Sequence, residues 1–369
     1  MPHPDVLVVG GGVVGAACAR SLARRGHRVA IVEAGPKPGA ASLVAAGMLA
    51  PLAEAAPGDP LLGLAVRARD HYGELAPMLK EEAGVDIGLW QAGILEAAFT
   101  EDEVTRGRSQ AAWQRQSGFA AEWLSSDELR ERAPGVSPEA RGASLAPEDG
   151  ALDPLALLDA LMRSAESAGA ALLRGESAER LLIREGRVEG VETPVQKRYA
   201  GAVLIAAGAW SNGISGLPRP LSVHPIRGQI ATLDWPKEYP AIIIYCAGGY
   251  LLHQSGRAVA GTTMENVGFN VDVTEAGLDH IRSVIRRILP SLAEKPFTHT
   301  RAGFRPGTPD GCPIIGPDPV VSGLWYATGH GRNGILYAGY TGELLAQLLA
   351  GEPVEHDLSA VSPARFWRW

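Results

Sequence analysis

A strand, a glycine-rich turn and a helix open the chain, and that order constrains the fold more than any other feature. Residues 5–9 (DVLVV) read as a fully buried strand. Over 13–25, Val14, Cys18 and Leu22 recur at helical spacing, with Arg24 and Arg25 in the last turn and Gly26 at the stop. Residues 28–33 (RVAIVE) read as a second strand, so strand, helix and strand succeed one another with short links, the βαβ unit of a parallel sheet. Between the first strand and the helix lies Gly10-x-Gly12-x-x-Gly15. Gly10 permits a tight turn, Gly12 lets the backbone approach a pyrophosphate, and Gly15 lets the helix pack close to the strand. The helix N-terminus adds unpaired N–H groups and the positive end of a dipole. Glu33, ending the second strand, can accept hydrogen bonds from a ribose diol, and its charge disfavours a 2′-phosphate. The pattern points to a bound dinucleotide and leaves FAD and NAD both open.

Later segments favour a flavin. Residues 39–51 (GAASLVAAGMLAP) are mostly small, and small side chains let backbone lie against a broad flat ring system. Residues 203–211 (VLIAAGAWS) resemble the second nucleotide-contacting strand of FAD proteins, although a plain buried strand and turn gives the same pattern. Near the C-terminus a strand at 324–328 leads through Gly329, Gly331 and Gly334 into a helix from about Asn333 to Leu349. Such a helix end can stabilise the negative charge that develops on a reduced isoalloxazine; a glycine-rich turn with no cofactor looks alike.

The intervening chain reads as two excursions. From about residue 86 the sequence GLWQAGILEAAF alternates like a half-exposed strand, and 101–133 reads as polar helices. Asp153 followed by Pro154 starts a helix that runs to about Ala168. Strand and hairpin patterns follow at 171–208, antiparallel strands at 220–264, and an amphipathic helix at 275–289. The expected fold is α/β: a doubly wound, Rossmann-like FAD-binding domain built from 1–85, 150–217 and 303–369. Interleaved with it is a mainly antiparallel α+β substrate domain built from 86–149 and 218–302.

Composition removes other classes. The 369 residues carry a net charge of −7, which argues against a nucleic-acid or polybasic membrane binder. Cys18, Cys246 and Cys312 form no C-x-x-C pair, so neither a disulfide scaffold nor a metal site is expected, and a cytoplasmic location fits. The stretch from Pro38 to Ala53 is uncharged but too short and too glycine-rich for a membrane span. None of the five lysines follows a glycine, and no HExxH or G-x-S-x-G occurs, so P-loop, metalloprotease and α/β-hydrolase signatures are missing.

Four blocks, VVGGGVVGAACA (8–19), AASLVAAGMLAP (40–51), AGFRPGTPDGCPIIG (302–316) and ATGHGRNGILYA (327–338), resemble the FAD-dependent D-amino-acid oxidase superfamily. Within it they are most similar to the glycine oxidases of thiamine biosynthesis. The resemblance implies that FAD is held by Gly10, Gly12, Val13, Val14 and Gly15, then by Glu33 and Ala34. It continues through Ser42, Ala46, Gly47 and Met48, a contact at Ala178, and the turn of Ala207, Gly208 and Trp210. Arg305 and the run His330, Gly331, Arg332, Asn333, Gly334 and Ile335 complete it. The same likeness makes Tyr250, Arg305 and Arg332 the catalytic and substrate contacts; Met48 and Met264 are expected to bind the substrate as well.

A guanidinium is always charged and offers a planar fork to a carboxylate, which suits Arg305. Arg332 either does the same, caps carbonyls or pairs with an acid; Tyr250 either aids the carboxylate or is a sheet aromatic. His330 reads as a loop hydrogen-bonder rather than a base, and Glu54 as a solvated glutamate rather than part of a lid. Two departures from the family stand out. Gly248 occupies the position where a close relative has histidine, which puts strict preference for glycine in doubt. Gly303 occupies the position of the flavin-linking cysteine of sarcosine oxidases, so non-covalent FAD is expected.

The activity implied is oxidative deamination of glycine or another small amino acid. Hydride moves from Cα to FAD, the imine hydrolyses to a 2-oxo acid, and oxygen reoxidises the flavin to give hydrogen peroxide. The resemblance also implies a homo-oligomer and a product that supplies thiazole synthesis. Rival readings are a sarcosine or other secondary-amine oxidase, a broad D-amino-acid oxidase, a dehydrogenase, and a catalytically idle dinucleotide-binding module.

Overall fold

The first strand explains its own position. All four residues of Val6–Val9 are buried, as expected of a strand covered on both faces. It pairs in parallel with Val29–Glu33 on one side and Ala202–Ile205 on the other. In the computed structural model, which describes residues 3–366, these strands form the middle of a six-stranded sheet. Its order runs Ile314–Pro317, Leu324–Thr328, Ala202–Ile205, Val6–Val9, Val29–Glu33, Ala171–Arg174. Only the Ile314–Pro317 edge strand is antiparallel to its neighbour.

One face of this sheet carries the helices Val13–Arg24, Leu62–Ala83, Pro154–Ser167 and Gly334–Leu349, whose apolar sides share a single core. The other face is closed by the three-stranded ribbon Arg180–Arg184, Arg187–Glu192, Lys197–Tyr199. There Leu181, Val188 and Val191 pack on Leu7, Val9 and Val203. Asp153 caps the Pro154–Ser167 helix by accepting from the Leu155 and Ala156 amides, as its sequence predicts. The helix Leu62–Ala83 is absent from the sequence reading. Ala65, Ala68, Tyr72, Leu75 and Leu79 give it a buried stripe at helical spacing, but Gly63, Gly73 and an internal Pro77 break the signal.

Two of the fingerprint glycines are fixed by close approach. Gly10 has φ +107° and a side chain there would sit 2.6 Å from the Ala206 carbonyl oxygen. A Cβ on Gly15 would fall 1.9 Å from the Gly10 carbonyl oxygen, so helix and strand can meet only at glycine.

The second sheet has eight strands in the order His299–Gly307, His224–Asp234, Arg257–Gly261, Gly249–Gln254, Ile243–Cys246, Ile94–Ala98, Gly142–Ala146, Glu122–Ser125. Its pairs are antiparallel except where Ile243–Cys246 meets Ile94–Ala98. The helix Glu275–Ile288 covers one face with Ile281, Val284, Ile285 and Ile288. The opposite face presents Ile230, Ile243, Tyr250 and Leu252 toward Ala46 and Ala50 of the small-residue run.

The strand His299–Gly307 runs across the expected limit at 302/303 and is paired along its whole length with His224–Asp234. One sequence expectation needs correction. The pattern at 88–99 is not a half-exposed strand. Only Ile94–Ala98 is extended in a ladder, and it is buried at four of five positions because it lies between two neighbours inside the sheet.

Candidate active site

The carboxyl ends of Val6–Val9, Val29–Glu33, Ala202–Ile205 and Leu324–Thr328 open into a single cavity of about 1040 Å³, roofed by the eight-stranded sheet. This is where an open α/β sheet binds ligands, because the strands that follow Val6–Val9 and Ala202–Ile205 lie on opposite sides of that pair. Single ligand pockets run to roughly 1,000 Å³, so the cavity has room for a dinucleotide.

Its nucleotide part is lined by Gly10, Gly12, Val13 and Val14, by Glu33 and Ala34, by Ala178, and by Ala207, Gly208 and Trp210. Among the described residues the Gly12 and Val14 amides have no hydrogen-bond partner, and the helix Val13–Arg24 has no side-chain cap. Unpaired amides at a helix N-terminus suit a pyrophosphate. The Glu33 carboxylate accepts from the Gly11 and Gly35 amides, which anchors it at the strand end. Ser42 accepts from the Val13 amide at 3.1 Å and ties the small-residue run to the helix start. These residues fit the diphosphate and ribose of FAD.

The small-residue run contributes Ser42, Ala46, Gly47 and Met48 to the wall. Gly15 alone of the expected cofactor residues does not line the cavity; its place is the helix–strand contact beneath. Gly47 lines the wall, yet its φ of +92° and the Leu152 carbonyl oxygen, 2.1 Å from a Cβ there, already demand glycine without a cofactor. Met264 lines the cavity and is 58% exposed. Trp210 lines the cavity and stacks on Phe269 at 5.4 Å.

The C-terminal loop brings His330, Gly331, Arg332, Asn333, Gly334 and Ile335 to the wall. The helix Gly334–Leu349 that follows has no side-chain cap at Asn333. His330 is 3% exposed, its Nε2 lies 3.2 Å from the Thr341 hydroxyl, and burial pushes its ring down to about 3, so it stays neutral and is no base at ordinary pH.

Tyr250, Arg305 and Arg332 meet in this cavity with different partners. Arg305 Nη1 donates to the Thr263 carbonyl at 3.1 Å and Nη2 to the Thr262 hydroxyl at 2.7 Å. Among the described residues no carboxylate pairs with it, and burial pushes its pKa down, with the Arg332 charge adding to that. The Tyr250 hydroxyl has no hydrogen-bond partner among the described residues, and burial raises it to about 12, so it stays protonated. Arg332 is held by Glu54: both its Nε and Nη2 lie 2.8 Å from Glu54 Oε2. Burial works against the Arg332 charge, but the Glu54 carboxylate outweighs it and the pKa is raised. Tyr245 donates to the other Glu54 oxygen at 3.2 Å.

Glu54 is therefore no solvated glutamate: its side chain is 15% exposed and it joins the site from a distant part of the sequence. Tyr245 and Glu96 also line the wall and are missing from the sequence reading. Burial raises the Glu96 carboxyl, and nearby Glu103 and Glu54 add to the effect. Two strand glycines that no sequence motif marks also shape the site. A Cβ on Gly228 would fall 2.1 Å from Arg305 Nη1, and one on Gly261 would fall 2.8 Å from the Tyr250 hydroxyl. Both leave the sheet surface bare where a polar side chain must cross it. The register that pairs Ile226 with Arg305 puts Gly228 in that position, and a single sequence does not reveal register. Cys312 is not on the cavity wall, whereas Cys246 is, its thiol pushed up to about 11 by burial.

Among the described residues no helix is long and apolar enough to cross a membrane, and no group of three or more His, Cys, Asp or Glu could hold a metal ion.

Comparison with known proteins agrees with this geometry. The DAO family profile, described as FAD dependent oxidoreductase, matches residues 5–348. The glycine oxidase of Geobacillus kaustophilus (strain HTA426) is 34% identical over 98% of this chain and 97% of its own. A crystal structure of glycine oxidase from that species superposes with a TM-score of 0.92 at 33% identity, covering 98% of both chains. The bifunctional protein ThiO/ThiG of Trichormus variabilis is 33% identical over 98% of this chain, which spans 55% of that protein. Iminodiacetate oxidase from Chelativorans sp. BNC1 superposes with a TM-score of 0.89 at 29% identity, covering 97% of this chain and 98% of its own. The chain belongs to the DAO family of FAD-dependent oxidoreductases and is an FAD-dependent enzyme of its amino-acid oxidase branch.

Proposed function

We propose that this enzyme oxidises glycine or another small amino acid at Cα and binds FAD without a covalent link. The observation that carries the reading is the contrast between two arginines. Arg332 already has a carboxylate, Glu54, whereas the Arg305 fork has only neutral oxygens and lies beside the free Tyr250 hydroxyl. A buried guanidinium without an anion calls for one, and an amino-acid carboxylate meets it in a bidentate manner.

With the carboxylate fixed by Arg305 and Tyr250, the substrate has one orientation, and orientation is the chief service a protein gives a flavin reaction. FAD, when bound, would supply the two-electron oxidant for the Cα–N unit, and oxygen would take up those electrons to give hydrogen peroxide. No base on the wall is needed if the amine arrives neutral, and neutral His330 is consistent with that. Water then converts the released imine to a 2-oxo acid and ammonia. The likeness to the ThiO/ThiG protein supports a destination in thiazole assembly for thiamine.

A second reading is favoured by Gly248. Gly248 lines the cavity and adds no side chain to its wall; a Cβ there would meet the His280 ring at 3.3 Å. Secondary amines such as sarcosine, and iminodiacetate as in that relative, then become substrates.

The test is an absorbance titration of the purified yellow holoenzyme without oxygen, with glycine, sarcosine, D-alanine, D-proline and iminodiacetate in separate runs. Bleaching by one of them, followed by stoichiometric peroxide on admitting air, is the expected result. A flavin that no amino acid or amine reduces overturns the reading. Reduction without peroxide, relieved by an artificial acceptor, assigns a dehydrogenase.

A further inference from the structure

We infer that Asp149, with Arg69, is a positioning residue of the substrate pocket: it clamps the backbone at Leu52 and Ala53 and thereby sets Glu54 against Arg332 and Tyr245. Asp149 is fully buried and touches no cavity wall. Its Oδ2 accepts from two consecutive amides, Leu52 at 3.0 Å and Ala53 at 2.8 Å. Its Oδ1 accepts from Arg69 Nη1 at 3.1 Å. Arg69, only 2% exposed, spends its remaining donors on Glu148 at 2.9 Å and Asp70 at 2.8 Å.

The same backbone is held from its carbonyl side. Gln114 Nε2 donates to the Leu52 carbonyl at 2.7 Å. Residues 50–55 form no helix or strand; two turn hydrogen bonds, from the Glu54 amide to the Ala50 carbonyl and from the Ala55 amide to the Leu52 carbonyl, both at 3.2 Å, hold their path together with these side chains. The next residue after the clamped pair is Glu54, whose two oxygens hold Arg332 and Tyr245.

Burying a carboxylate and a guanidinium is expensive, and an apolar pair of the same volume serves stability as well or better. What the ionic pair supplies here is direction: one carboxylate gathers two adjacent amides on Oδ2 and an Arg69 N–H on Oδ1. Asp149 also lies where three elements converge. It follows the strand Gly142–Ala146 of the large sheet, precedes Gly150–Ala151, which pairs with Met48–Leu49, and contacts the helix Leu62–Ala83 through Arg69. The clamp thus fixes the pocket-forming run relative to both sheets.

The inference rests on the reading of the cavity as a carboxylate pocket, and the experiment separates the two. Asp149→Asn and Glu54→Gln are made singly and together in the holoenzyme. Three quantities are read: amide exchange at residues 50–55, the dissociation constant of acetate from its perturbation of the flavin spectrum, and steady-state KM and kcat. In Asp149→Asn we expect faster exchange at Leu52 and Ala53. Acetate binding should weaken and KM rise by about 5–20-fold, with kcat within about twofold, as loss of positioning rather than of chemistry requires. In the Glu54→Gln background the same change should have little further effect, because residues acting through one another are not additive.

Equal penalties in both backgrounds, or faster exchange with unchanged acetate affinity, overturn the inference and leave Asp149 a packing residue. If Asp149→Asn does not fold, Gln114→Met loosens the same backbone without disturbing the ion pair and must weaken acetate binding in a Glu54-dependent way. If no amino acid reduces the wild-type flavin, the proposed function falls, while exchange and acetate binding still decide on the clamp.

Discussion

Arg332 and Glu54 are 278 positions apart in the chain and meet at 2.8 Å on the cavity wall. The pair connects the loop before the last helix to the small-residue run near the first, and it divides the labour of two arginines in one pocket. Arg332 is neutralised, and Arg305 is left for a ligand. Glu54→Gln removes that division. Two unpaired guanidinium groups would then line the pocket, so a dicarboxylate such as iminodiacetate should gain on a monocarboxylate. The expected change in the ratio of their kcat/KM values is about tenfold, the scale of one partly exposed charge contact. A ratio that stays fixed means Arg332 remains directed elsewhere without its partner.

Arg305 is expected to govern substrate affinity and not cofactor binding. Arg305→Ala should raise KM by about 30-fold or more, since truncating a buried charge partner is worth about 2–5 kcal/mol. Arg305→Lys keeps the charge but loses the fork that Thr262 and Thr263 now orient, and should recover only part of the loss. The flavin absorbance per mole of protein should match wild type in both. Unchanged KM in the alanine variant removes the residue from the site.

Gly228 offers a milder lesion at the same place. A methyl group there would sit 2.1 Å from Arg305 Nη1, and the flexible guanidinium, not the backbone, has to yield. Gly228→Ala should therefore fold, melt within a few degrees of wild type and stay yellow, while its KM approaches that of Arg305→Lys. Loss of colour or of folding would mean that the strand, and not the arginine, absorbs the clash.

How much of this was legible in the sequence depends on the range of each interaction. The strand–turn–helix at 5–25 could be read because its signal is local: Gly10, Gly12 and Gly15 lie within six residues. Arg305 and Tyr250 could be named by family resemblance, but their surroundings could not. Gly228 and Gly261 matter only through strand register, and Glu54 only through a contact with a loop at the far end of the chain. No local signal marks Asp149, because its partners, the Leu52 and Ala53 amides and Arg69, come from two other parts of the chain. Helix Leu62–Ala83 was hidden for the opposite reason: its buried stripe was present, but Pro77 and two glycines carried the local propensity against it.

A last prediction concerns acid. Glu265 accepts from Arg227 at 3.0 and 2.9 Å, from Gln229 at 2.9 Å and from Thr263 at 2.8 Å. The Arg227 guanidinium, outweighing the opposing effect of burial and helped by Gln229 and Thr263, holds the Glu265 carboxyl down at about 2. Between that value and an ordinary glutamate at about 4.3 the unfolded chain binds the proton and the folded one does not, so stability rises with pH there. The contribution is complete above the ordinary value and fades as pH falls through about 2. Glu265→Gln should lower unfolding free energy at pH 7 by on the order of 1–2 kcal/mol, allowing for partial solvent screening. The gap to wild type should close as pH is taken from about 5 to 2. Urea unfolding at several pH values measures it directly. The consequence reaches the pocket, because Thr263 also accepts from Arg305 at 3.1 Å. At pH 7 the variant should therefore bind acetate more weakly while the Asp149 clamp is untouched. A gap that is constant with pH would show that packing of the 262–272 segment, and not the Arg227–Glu265 charge pair, holds Thr263 in place.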